Sequence, residues 1–118
     1  MVQSPGFNAN KMNDEELPSS LTYAIRMRNV PAINAILPLI SDENINRNGK
    51  YWNILADAVL WYGDVNVVRA VLADPRVLVN HRSKDNRTAL GYARQKIAQG
   101  LPHYQEIVDL LLEHGAVE

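Results

Sequence analysis

Three blocks of this sequence recur at an almost constant spacing: Leu21-Thr22-Tyr23-Ala24, Leu55-Ala56-Asp57-Ala58 and Leu90-Gly91-Tyr92-Ala93, whose leucines lie 34 and 35 residues apart. A second apolar set follows each block: Ala32, Ile33, Ile36 and Leu37, then Val67, Val68, Val71 and Leu72, then Ile107, Val108, Leu111 and Leu112. Each set runs i, i+1, i+4, i+5, which puts its members on one helical face. Each period therefore predicts a pair of short amphipathic helices. A pair of this kind cannot bury its apolar faces alone, so neighbouring pairs must stack and share a continuous core. A chain of 118 residues has room for one such domain.

The stretches between the pairs constrain the architecture further. Asn44-Ile45-Asn46 and Leu78-Val79-Asn80 are each followed by polar residues that read as an extended arm and a turn, and Asn46 and Asn80 are again 34 apart. A period of 34 also suits the tetratricopeptide repeat, whose longer helices are joined by tight turns. The stretch from Leu72 to Thr88 holds Asp74, Pro75, Asn80, Ser83, Asp85 and Asn86 and does not read as one helix, which favours a projecting loop.

The segment Val79-Asn80-His81-Arg82-Ser83-Lys84-Asp85-Asn86-Arg87-Thr88-Ala89-Leu90, with Tyr92-Ala93 and later Glu106-Ile107-Val108-Asp109-Leu110-Leu111-Leu112-Glu113-His114-Gly115-Ala116, resembles the ankyrin repeat. That family's pattern is V-N-x-x-D-x-x-G-x-T-P-L-H-x-A-A, a short link, and E-V-V-x-L-L-L-x-x-G-A. The likeness covers residues 17–118 and is closest in the third unit, looser in the second and faintest in the first. It implies an all-α, ankyrin-like solenoid of stacked helix pairs with projecting finger loops, in units of about 17–46, 47–80 and 81–118, behind a flexible N-terminal tail, 1–16.

The departures carry their own expectations. T-P-L-H survives only as Thr88-Ala89-Leu90-Gly91, so the family's turn-locking hydrogen bonds are mostly missing, although Ser19 or Ser20, Asn53 and Thr88 can each cap the helix that follows. Pro38 removes a helical hydrogen bond to Asn34 and ends the second helix near Leu37 or kinks it. Gln95 to Tyr104 is longer than the family link, and Gly100-Leu101-Pro102 within it reads as a loop, whereas Gly63-Asp64 keeps the tight link. Gly115 suits the left-handed residue that closes a helix. The chain ends at Val117-Glu118, just before the asparagine that would open another finger, which fits a last repeat or a cut array. A cut array would expose the apolar flank around Leu110 and self-associate; otherwise a monomer is expected.

Composition excludes several functions. Twelve basic residues against 13 acidic ones give no global field for nucleic acid or an anionic membrane surface. The absence of cysteine removes disulfides, thiolate nucleophiles and Cys-type zinc sites. The apolar stretch from Ile54 to Tyr62 is broken by Asp57 and falls far short of the roughly 20 residues of a membrane span. Asn8, Asn10, Asn13 and Asp14-Glu15-Glu16 stand where a secretory signal would carry positive charge and an apolar run, so a cytoplasmic location is expected.

Chemistry is poorly supplied. His81, His103 and His114 are scattered without ligand spacing, and no metal or cofactor is expected. Serines 4, 19, 20, 41 and 83 lie outside any G-x-S-x-G elbow, and no glycine-rich loop ends in Lys-Ser or Lys-Thr. Asp57 on a helix and Asp64 in a turn make a poor acid and base pair and read as solvated-face or capping residues. Asn86-Arg87-Thr88, formally a glycosylation acceptor, falls where the turn needs a polar residue and a cap.

The resemblance thus implies a non-catalytic adaptor that holds another protein on its concave face and finger tips. Matching positions are Arg26 and Met27 in the first unit, Lys50, Trp52 and Trp61 in the second, and Lys84, Asp85, Arg87, Gln95 and Lys96 in the third. Aromatic residues beside arginine are typical of binding hot spots. Trp61 fits either the core or the surface; Trp52 is expected to be exposed. The alternative is a structural end-cap or a fragment of a longer array whose recognition surface lies elsewhere.

Overall fold

The computed structural model describes residues 8–117; the first seven residues of the expected tail and Glu118 lie outside the described residues. The described residues form α1 (Ser19–Arg26), α2 (Val30–Ile36), α3 (Asp42–Ile45), α4 (Ile54–Leu60), α5 (Val65–Leu72), α6 (Ala89–Ala98) and α7 (Gln105–Glu113), with single 3₁₀ turns at Leu37–Leu39 and Pro102–Tyr104. No strand is present among them, only an isolated bridge between Met12 and Pro18. None of these helices is long and apolar enough to cross a membrane.

The helices pair as the apolar spacing requires. α1 packs on α2, α4 on α5 and α6 on α7, while α1, α4 and α6 form one row and α2, α5 and α7 a second. Leu21, Ile33, Val68, Leu90, Ile107 and Leu111 are buried in one contiguous core that runs through all three pairs. The longest dimension, 45 Å against 26 and 24 Å, suits three pairs laid side by side.

Caps set the helix starts. Asn53 and Thr88 accept from Ala56 N at 2.9 Å and Gly91 N at 3.2 Å, as expected, and Asn29 and Asp64 do the same for α2 and α5. Neither Ser19 nor Ser20 caps α1. The cap position falls on Pro18 because residues 12–18 fold back on themselves, with Asn13 Oδ1 accepting from Glu15 N and Leu17 N. Pro38 ends α2 at Ile36, and the chain continues as the 3₁₀ turn. Gly115, at φ +92°, follows α7 in the left-handed region. Gly63, at φ +66°, lies so close to Tyr104 that a Cβ would come within 2.7 Å of its ring.

A ladder of asparagines ties the pairs together along one edge. Asn46 donates to Arg76 O at 2.8 Å and accepts from Leu78 N at 2.9 Å; Asn80 donates to Gly115 O at 3.1 Å and accepts from Val117 N at 3.0 Å. Asn10 makes the same two bonds to Leu39 O and Ser41 N, so residues 8–16 pack against the first pair and supply the first rung. Arg76 bridges pairs one and two, donating to the carbonyls of Leu37 and Ile40 and to the carboxylates of Asp42 and Asp74. Two expected surfaces differ. Leu110 is buried and Leu112 is the exposed leucine of α7. Trp52 is half-buried against the core rather than exposed.

Shortening Leu111, which is fully buried, to alanine is expected to cost about 2–5 kcal/mol. Urea unfolding measures it, and an unchanged midpoint would mean that the stacking register is wrong.

Candidate binding groove and its buried carboxylate

The expected site residues fall into three places. Lys50, Trp52, Lys84, Asp85, Gln95 and Lys96 line one open groove between the loop before α4 and the loop before α6. Tyr51, Leu60, Tyr92 and Gln99, which the resemblance did not pick out, complete its wall. Arg87 lies beside it, its guanidinium bonded to the Gln95 side chain. Arg26 and Trp61 belong to a cluster behind Trp52, and Met27 lines a separate depression at the outer face of the first pair.

The groove exists because successive units present their loops in register. Its charge is set by three lysines against Asp85, whose carboxylate is already engaged: Tyr92 donates its hydroxyl to Asp85 Oδ1 at 2.7 Å, and Arg87 donates its backbone N–H to the same atom at 3.1 Å. Burial pushes the Asp85 carboxyl up, but the Tyr92 and Arg87 bonds outweigh it and hold it below the ordinary carboxylate range. The same pairing, with burial as the larger cause, pushes the Tyr92 hydroxyl up to about 12. The field left in the groove is positive. Tyr51 and Trp52, with ring centroids 5.7 Å apart, give it an apolar floor.

Behind the groove sits Asp57, which is 0% exposed and corrects the expectation of a solvated or capping carboxylate. Its Oδ1 accepts three hydrogen bonds, from Trp52 Nε1 at 2.9 Å, Arg26 Nη2 at 3.0 Å and Trp61 Nε1 at 3.1 Å. The Arg26 guanidinium lies 4.8 Å from the Trp61 ring centroid and also meets Glu15 at 2.6 Å. Charge-assisted bonds of this kind offset the cost of taking the carboxylate out of water. Burial nevertheless pushes its pKa up, against the bonds from Trp52, Arg26 and Trp61 that pull it down. Both indoles are thereby fixed: Trp52 presents its ring to the groove, and half-buried Trp61 lies under Arg26. The register offered part of the signal, since Asp57 occupies the position of Tyr92, which is also buried, in the repeated block.

Nothing in the cluster assembles a nucleophile with a base. Among the described residues no three His, Cys, Asp or Glu side chains converge as a metal site would need.

Two measurements probe this arrangement. Asp57→Ala leaves three donors without their acceptor and is expected to cost about 1.5–3 kcal/mol. Because the chain has only 2 tryptophans and both bond to Asp57, the emission spectrum should shift to the red in the same variant; an unshifted spectrum would refute the network. For Tyr92, the folded-state pKa lies above the ordinary 10, so the folded chain holds its proton more tightly and stability falls as pH rises from 10 to about 12. Tyr92→Phe should flatten that fall in a pH series of unfolding curves.

Comparison with protein-family models, with curated proteins and with solved structures finds no match to this chain.

Proposed function

We propose that the chain is a non-catalytic protein-interaction module of the ankyrin-like kind, and that the groove floored by Trp52 receives an acidic segment of a protein partner. The observation that carries this reading is the convergence of Lys50, Trp52, Lys84 and Lys96, from three stretches of sequence, on one open surface. The ankyrin-like reading is supported by stacked helix pairs, loops in register and asparagine rungs at Asn46 and Asn80.

The energetics suit such a role. A rigid aromatic floor gives apolar contact with little ordering cost, and the lysines supply attraction that steers an acidic segment and fixes its orientation. The groove needs no rearrangement to be reached: Lys50, Tyr51, Lys84 and Gln95 are all exposed. Asp57 acts indirectly by holding the Trp52 indole.

The test compares affinity capture by the unaltered chain and by a Lys84→Glu, Lys96→Glu double variant from the host lysate, followed by titration with the captured protein. Both side chains stand outside the core, so the fold is retained. Binding should weaken by about tenfold or more, equivalent to roughly 1.4 kcal/mol. Equal affinity for the two chains would remove the groove from consideration.

A further inference from the structure

We propose that this chain associates head to tail with a second copy of itself, the outer face of α1 and α2 of one copy seating against the outer face of α7 of the next. The stack inside the molecule supplies the argument. α1 packs on α4 as α4 packs on α6, and α2 packs on α5 as α5 packs on α7, so the same order of contacts repeats from pair to pair. Continued once more, that order brings α7 against the outer side of an α2.

Equivalent positions show that the two ends retain the chemistry of the buried interfaces. The position two residues after the repeated leucine meets the preceding unit where one is present: Asp57 bonds Arg26, and Tyr92 lines the groove with Trp52. There Asp57 and Tyr92 are buried, whereas Tyr23, with no pair before it among the described residues, is 69% exposed. At the other end Leu37, beside Ala70 and Ala73 of the second pair, and Leu72 are buried, and Leu112, in the same register, is 42% exposed. Each end therefore leaves in water the side chain that the interior covers, and the two are not the same surface. A self-complementary dimer would need one face to meet itself, while these faces match each other.

Charge agrees with the polarity. Met27, Ala32 and Ile36 line the depression beside Tyr23, and Lys11 stands at it; Glu15 and Glu16 are engaged by Arg26 and Arg47. α7 exposes Glu106, Asp109 and Glu113, and residues 105–117 contain no lysine or arginine. A displacement that does not close on itself gives open chains, so a distribution of sizes is expected in place of a single dimer.

Sedimentation of the full chain and of Tyr23→Glu and Leu112→Glu, alone and mixed, tests this. The unaltered chain should gain mass as its concentration rises from about 1 µM to about 1 mM, and should lose it as salt shortens the screening length from roughly 30 to 3 Å. Each variant alone should remain a monomer with unchanged helical circular dichroism, because both positions are exposed. Their mixture should form a capped one-to-one complex, joined through the intact face of each. If either glutamate variant loses helix, Tyr23→Ser and Leu112→Ser replace it. A monomeric unaltered chain at every concentration, a folded variant that assembles as the unaltered chain does, or a mixture without a complex would overturn the proposal.

Discussion

Two helices of seven to ten residues expose more apolar surface than they can hide from each other, and this constraint governs the rest of the molecule. Each pair needs a neighbour. The core is accordingly not a centre surrounded by helices but a seam running through all three pairs, with Val59, Val67, Val68 and Ile107 fully enclosed within it. Burying a side chain of this size is worth about 1.5–3 kcal/mol, and it draws on contacts between pairs as well as within them. Local helix propensity contributes little at these lengths, since isolated helices this short are marginal in water.

The polar contacts then fix how the pairs sit. Apolar stacking alone would tolerate sliding, whereas a carboxamide that both donates to and accepts from the backbone of a neighbouring segment allows one register. Asn10, Asn46 and Asn80 impose that condition at successive levels, and Arg76 adds a second clamp between the first two pairs. Asp57 performs a related task at higher electrostatic cost, drawing Arg26 of the first pair and two indoles onto one oxygen. The groove and the carboxylate behind it are consequences of the same register that closes the core.

Several of these features were legible in the sequence for plain reasons. Pro38 and Gly115 act through their own backbone chemistry, so their effects need no partner. Asn53 and Thr88 cap because the donors they satisfy lie three residues on. Ser19 and Ser20 failed as caps because a local rule was overridden by the fold-back through Asn13, a contact no spacing announces. Asp57 departs from expectation for a related reason: a carboxylate on a helix is ordinarily solvated, and only the convergence of Trp52, Trp61 and Arg26 makes its burial tolerable.

By itself the sequence determined the number of helix pairs, most of the positions that are buried and the places where the chain must turn, since period, proline, glycine and capping side chains act over a few residues. The resemblance to the ankyrin repeat, and not the period itself, singled out six of the residues that line the groove. Only the tertiary structure decided that Lys50, Trp52, Lys84 and Lys96 share one surface while Arg26 and Trp61 turn inward to Asp57 and Met27 faces another way. The physical reason is that these relations depend on the angle and offset between stacked pairs. That geometry is set by contacts such as Asn10 to Ser41 and Arg76 to Ile40, between residues 31 and 36 apart in the chain.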